Sequence, residues 1–117
     1  MPISTASAKA KGRNLQKWAR DKLLAQFKAL EPDDIKSTGM GQGGEDLQLS
    51  PAARKLIPIT VECKARKSLA LYSFMSQAET NAPKNVEPVV IVKADRKKPL
   101  AIIDAEYFIK LLSRKKK

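Results

Sequence analysis

Ile57-Pro-Ile-Thr-Val-Glu-Cys-Lys64 is the stretch on which the fold turns. Its residues alternate: Ile57, Ile59, Val61 and Cys63 share one face, while Thr60, Glu62 and Lys64 share the other. That period predicts a half-buried β-strand, with Pro58 tolerated because it falls at the strand's start. Residues two apart on one strand face are roughly 6 to 7 Å apart at the backbone, so Glu62 and Lys64 arrive together at the strand's end.

Working toward the N-terminus, Ser50 to Lys55 reads as a turn, and Asp46-Leu-Gln-Leu-Ser50 as a short strand with Leu47 and Leu49 on one face. Before it, Ser37 to Gly44 holds four of the five glycines. Further back, Leu15, Trp18, Ala19, Leu23, Phe27 and Leu30 recur at three- and four-residue steps, an amphipathic helix that Pro32 ends. Gln16 lies about 100° around that helix from Leu15, on the side of Ala19, Leu23 and Phe27, so a polar amide points inward.

Toward the C-terminus, Leu71, Phe74, Met75, Ala78 and Ala82 predict a second helix over 69–82, stopped by Pro83. Val89 to Val92 is continuously apolar, as a strand covered on both faces would be, and Leu100 to Ile103 is its expected neighbour across the charged turn 94–99. Asp104 suits the N-cap of a last helix carrying Tyr107, Phe108, Leu111 and Leu112. The expected order is α-β-β-β-α-β-β-α: an α/β fold in which helices flank a mixed sheet. A single domain is expected over 1–117, with 1–10 and 113–117 as flexible basic ends.

The chemistry is bounded by composition. The chain has no His and a single Cys, which removes His-based nucleophile systems, His-ligated zinc and any internal disulfide. The N-terminal residues lack an apolar leader core and no apolar run is long enough for a bilayer, so the expectation is no membrane partner and a cytoplasmic location, the host's cytoplasm if phage-encoded. There are 23 Lys plus Arg against 12 Asp plus Glu, a formal charge of +11. This charge is segregated: residues 1–30 carry +6, 31–50 carry −4, 51–68 carry +4 and 93–117 carry +6. Two basic blocks around an acidic, glycine-rich stretch predict a polyanion surface surrounding a cation site.

Gly39, Gly41 and Gly44 match a dinucleotide fingerprint as a string, but an alternating strand follows them instead of a helix, so no nucleotide cofactor is expected. Acid-x-Lys triplets occur three times. Asp34-Ile-Lys36 and Asp95-Arg-Lys97 lie in a helix end and a turn; only Glu62-Cys-Lys64 ends an alternating strand. If the Asp46 strand pairs with it as a hairpin, two carboxylates and an ammonium meet. Such a set suits phosphodiester hydrolysis with a hard cation, Mg²⁺ or Mn²⁺ in its place, held by Asp46, Glu62 and the Cys63 backbone carbonyl, while Lys64 stabilises developing negative charge. Phosphate-backbone contact is expected from Lys9, Lys11, Arg13, Arg66, Lys67, Lys93, Arg96 and Lys97. Trp18, Phe27, Phe74 and Phe108 fall on apolar stripes and read as core, which disfavours a reader that stacks single-stranded bases.

Asp46 followed by Glu62-x-Lys64 in an apolar strand, with a helix on either side, resembles the PD-(D/E)XK nuclease superfamily. Lys11-Gly-Arg-Asn-Leu-Gln16, Ser37-Thr-Gly-Met-Gly, Gly44-Glu-Asp46 and Val61-Glu-Cys-Lys64 are similar to the small archaeal and phage-encoded Holliday-junction resolvases. The resemblance spans most of residues 10 to 110. It implies a restriction-endonuclease-like core, a homodimer, Mg²⁺-dependent cleavage of branched double-stranded DNA, and a part in recombination and repair. It also implies a role for Ser37 near the phosphate, and Gln16 stands where these resolvases usually place a metal-facing Glu. An amide oxygen can ligate a metal or hold its water without adding negative charge. Gln77 and Glu79 on the second helix are expected to support the site. Two other readings remain open: a less selective nicking or flap endonuclease, and a non-catalytic DNA-binding protein on a degenerate nuclease fold.

Overall fold

The computed structural model describes residues 5–38, 44–66 and 70–112. In chain order the elements are α1 (Thr5–Gln26), a 3₁₀ turn (Pro32–Asp34), β1 (Ile35–Ser37), β2 (Leu47–Leu49), α2 (Pro51–Leu56), β3 (Ile59–Ala65), α3 (Leu71–Asn81), β4 (Glu87–Lys93), β5 (Leu100–Ile103) and α4 (Ala105–Leu112). The chain is an α/β fold, as expected.

β3 and β4 run parallel with Glu62 opposite Val90 and Lys64 opposite Val92. Parallel neighbours need a crossover, and α3 supplies it. β5 returns antiparallel to β4, with Val90 opposite Ile102, so the three-stranded sheet is mixed. Helices cover both faces. Leu15 and Ala19 of α1 pack with Val61, Cys63 and Ala65, while Ala78, Phe74 and Met75 of α3 pack with Val90 and Val92. Hence β3 is buried along nearly its whole length, Thr60, Glu62 and Lys64 included, and is not the half-buried strand its alternation predicts. The polar set lies under a helix because a parallel crossover covers the second face of the sheet.

β2 pairs with β1, not with β3: Ser37 stands opposite Leu47 and Ile35 opposite Leu49 in a separate antiparallel ribbon. The expected Asp46–Glu62 hairpin is therefore corrected. The segment read as a turn at Ser50 to Lys55 is a helix; Ser50 caps it by accepting from the Ala53 N–H at 3.1 Å, with Pro51 in the first turn. At the N-terminus, α1 begins at Thr5, so residues 5–10 of the expected basic end are helical, and residues 1–4 lie outside the described residues. Ala6, Ala8, Lys9, Ala10 and Lys11 are strong helix formers with no apolar stripe, so propensity builds a stretch that periodicity misses. α1 stops at Gln26, and Phe27 to Leu30 forms a tighter turn closed by Leu30 N–H on the Phe27 carbonyl at 3.0 Å. Residues 113–117 and 39–43 lie outside the described residues. The Asp104 cap is present, accepting from Tyr107 N–H at 2.9 Å.

Two aromatics read as core are not buried: Trp18 is 41% exposed and Phe108 48%. Leu47 and Ile35, by contrast, are sealed at 0%. Leu47→Ala is expected to lower unfolding free energy by about 2 to 5 kcal/mol. Tyr72→Ala, at a side chain 92% exposed, is expected to stay within about 0.5 kcal/mol; urea unfolding compares the two.

Candidate active site

In a strand, the N–H and C=O of one residue point to the same side. Along β3 the even residues turn toward β4, and just beyond the strand Arg66 N–H keeps that sense, donating to the Lys93 carbonyl at 3.1 Å. The odd residues turn to the free edge. There Arg54 Nη1 donates to the Ile59 carbonyl at 2.6 Å, and Cys63 N–H donates to Asp46 Oδ2 at 2.7 Å. This one hydrogen bond does what the hairpin was expected to do, bringing Asp46 to the end of β3. It also places the Cys63 carbonyl on the edge where Asp46 sits.

Glu62 and Lys64 share the α3 side of β3, their side chains almost wholly buried, with Lys64 Nζ 3.4 Å from Glu62 Oε2. Asn81, the last residue of α3, hydrogen-bonds the Glu62 carboxylate, and the Gln16 amide hydrogen-bonds that of Asp46. Lys64 Nζ also lies 5.7 Å from the centre of the Phe74 ring. Four side chains from α1, the start of β2 and β3 thus meet at one buried strand edge, as the sequence predicts for Gln16, Asp46, Glu62 and Lys64.

Burial dominates the electrostatics. It raises the Asp46 carboxyl above its ordinary value against the opposing pull of the Cys63 N–H, Lys64 and Gln16. Burial raises Glu62 as well, helped by the Asp46 charge and opposed by Lys64 and Asn81. Two acids and one ammonium leave an uncompensated negative charge in a poorly solvated place. The Cys63 thiol, pushed up to about 12 by burial and then by the two carboxylates, stays protonated and offers neither nucleophile nor thiolate ligand.

A cation fits this donor set. Asp46 and Glu62 supply charge; the Cys63 carbonyl and the Gln16 amide supply neutral polar groups. Among the described residues there is no cluster of three or more His, Cys, Asp or Glu side chains. A pair of carboxylates with neutral oxygens is what Mg²⁺ accepts, since it keeps several of its waters. Gln16 is occupied at least in part by its bond to Asp46, so it orients that carboxylate.

Several expectations need correction. Gln77 and Glu79 are exposed, and the α3 residue that reaches the site is Asn81, one turn beyond the buried Ala78. Ser37 is exposed on β1, whereas its neighbour Thr38 is buried, its hydroxyl donating to the Glu45 carbonyl and its N–H to the Asp46 carbonyl. Lys11 is held by Asp95 at 2.7 Å. Lys9, Arg13, Arg66, Arg96 and Lys97 are exposed and Lys93 is half-buried, while Lys67 lies outside the described residues. A clamp missed by periodicity completes the site: Arg54 grips the Glu45 carboxylate through two bonds of 2.7 and 2.8 Å while also holding the Ile59 carbonyl. The Ser50-Pro51 capping signal marks the short helix that aims Arg54.

Comparison with protein-family models, curated proteins and solved structures finds no match. Among the described residues, no helix is long and apolar enough to cross a membrane.

Glu62 gives a stability test. Its carboxyl is raised above the ordinary value of 4.5, so the folded chain holds the proton more tightly than the unfolded one. Folding stability then falls as pH rises from about that value through the raised one. Glu62→Gln removes the penalty, so its urea midpoint is expected to exceed wild type at pH 7 and to converge with it toward pH 4. A lower midpoint at pH 7 would show that the Lys64 pairing outweighs desolvation.

Proposed function

We propose that the chain is a metal-dependent endonuclease of the PD-(D/E)XK kind, cutting the phosphodiesters of branched DNA as a Holliday-junction resolvase does. One observation carries the reading: Asp46, 16 residues ahead of Glu62 in sequence, meets the Glu62 and Lys64 of β3 at a strand edge where two carboxylates face one ammonium, within a chain of net +11. A divalent cation bound by Asp46, Glu62 and the Cys63 carbonyl would polarise a phosphate and lower the pKa of a bound water. The chain's own groups do the rest. Cys63 N–H and Gln16 hold Asp46 in place, Asn81 holds Glu62, and the Lys64 ammonium faces charge that develops on the phosphate. The exposed Lys9, Arg13, Arg66, Arg96 and Lys97 bind backbone phosphates without reading sequence.

Labelled four-way junctions with Mg²⁺ test it. Asp46→Ala, Glu62→Ala and Lys64→Ala are each expected to cut at least about a hundredfold more slowly than wild type, with junction binding retained. Undiminished cleavage in any of the three would overturn the site. Salt-dependent binding with no cleavage by wild type in Mg²⁺ or Mn²⁺ would favour the non-catalytic reading, and equal cutting of plain duplex would favour the less selective nuclease.

Two symmetric cuts call for a two-fold dimer, and α4 suits one. Tyr107 and Leu111 turn toward the body of the protein, but Ala105, Phe108, Ile109 and Leu112 form a second apolar stripe at helical spacing that is exposed. Phe108→Glu with Ile109→Glu is expected to halve the mass in sedimentation equilibrium while leaving the circular dichroism unchanged.

A further inference from the structure

Beside the site, α1 and the end of the three-stranded sheet enclose a cleft of about 580 Å³, lined among others by Lys11, Asn14, Leu15, Trp18, Lys93 and Arg96. Its makeup differs from that of the carboxylate cluster. Trp18 presents an exposed indole, with Lys22 Nζ 5.8 Å from the ring centre. Asn14 adds an amide able to donate and accept, and Lys11, Lys93 and Arg96 bring cationic groups. The Lys11–Asp95 bond at 2.7 Å ties α1 to the 94–99 turn, and Arg96 sits in that turn at φ 63°, a conformation costly for a side chain with a Cβ. The cleft and the carboxylates flank the same turn of α1: Leu15 lines the cleft and Gln16 bonds Asp46.

We propose that this cleft holds an unpaired nucleobase of the DNA substrate, stacked on Trp18, with the neighbouring phosphate held by Lys93 and Arg96. An aromatic plane with flanking cations is what a single-stranded base and its backbone select, and the volume is ample for one nucleotide. A paired base inside a duplex does not reach it. The cleft therefore selects DNA whose bases are splayed at a branch or end, which supplies structure recognition without base-sequence readout. The proposal rests on the nuclease reading for its substrate.

Trp18 is the only tryptophan, so its fluorescence reports stacking directly. In EDTA, a short oligothymidylate is expected to quench Trp18 strongly, a blunt duplex weakly, and polyphosphate, a polyanion without bases, not at all. Trp18→Leu keeps apolar bulk at this position and Trp18→Phe keeps a ring. Leu is expected to weaken oligothymidylate binding, measured by anisotropy, about 5- to 150-fold, with Phe restoring part of it. Equal quenching by polyphosphate, binding without quenching, no binding, or equal affinity of the Leu and Phe variants would each overturn the cleft. Junction cleavage separates the two readings: cutting without quenching removes the cleft and leaves the nuclease, whereas quenching without cutting leaves the cleft and removes the nuclease.

Discussion

The hydrogen bond from Cys63 N–H to Asp46 Oδ2, 2.7 Å long, joins the two sheets at the point where the chemistry would occur. β1 and β2 form their own ribbon, and among the described residues no backbone ladder connects it to β3. The join is made instead by side chains reaching the free edge of β3: Asp46 to Cys63, and Arg54 to Ile59 while it grips Glu45. An open strand edge is a hazard because its unpaired backbone groups template further pairing. Here part of that edge is occupied by the carboxylate and guanidinium that define the site. Covering the edge and assembling the cluster are therefore the same structural act.

Burying two carboxylates with one ammonium works against stability. Desolvation exceeds what Lys64 and the hydrogen bonds return, since both acids are pushed upward. A structural ion pair would be expected to match charge with charge, and replacing such a group by apolar residues is often neutral or favourable. On the proposed reading, the cation relieves an imbalance that Cys63, Gln16 and Asn81 hold in place. Every buried side-chain nitrogen and oxygen among the described residues has a hydrogen-bond partner, so the strain is one of charge and not of unmade bonds.

Much of this site is legible in the residues alone. Glu62-Cys-Lys64 stands out among three similar triplets because only it ends an apolar alternating strand, and Gln16 is placed inward by helical phase; both expectations hold in the structure. What period does not carry is tertiary. Alternation cannot show that α3 covers the polar face of β3, nor that Asp46 reaches β3 by its side chain while its strand pairs elsewhere. Trp18 shows the converse limit. It fits an apolar stripe, but β4 ends at Lys93 and β5 begins at Leu100, and the indole borders the cleft beside the turn between them, 41% exposed. Asn81 was reachable by counting one turn past Ala78, whereas Gln77 and Glu79 lie to either side of that stripe and face solvent.

On the proposed reading, the net charge of +11 and the local surplus of negative charge act on the same ligand in opposite directions. Basic groups on α1 and in the 94–99 turn attract a phosphate backbone over distances near a Debye length, about 8 Å at physiological salt. At the strand edge itself Asp46 and Glu62 repel a phosphate, and that repulsion is weakly screened because the groups are buried. Lys64 alone cannot reverse it, being shared between the two carboxylates and within 3.4 Å of one of them. On the proposed reading, DNA held by the basic surface approaches the site productively only with a cation between its phosphate and the carboxylates. Polyanion binding and metal binding are then thermodynamically linked, each strengthening the other by the same factor. A chain carrying the basic surface but no acids at positions 46 and 62 would bind DNA and lose that linkage.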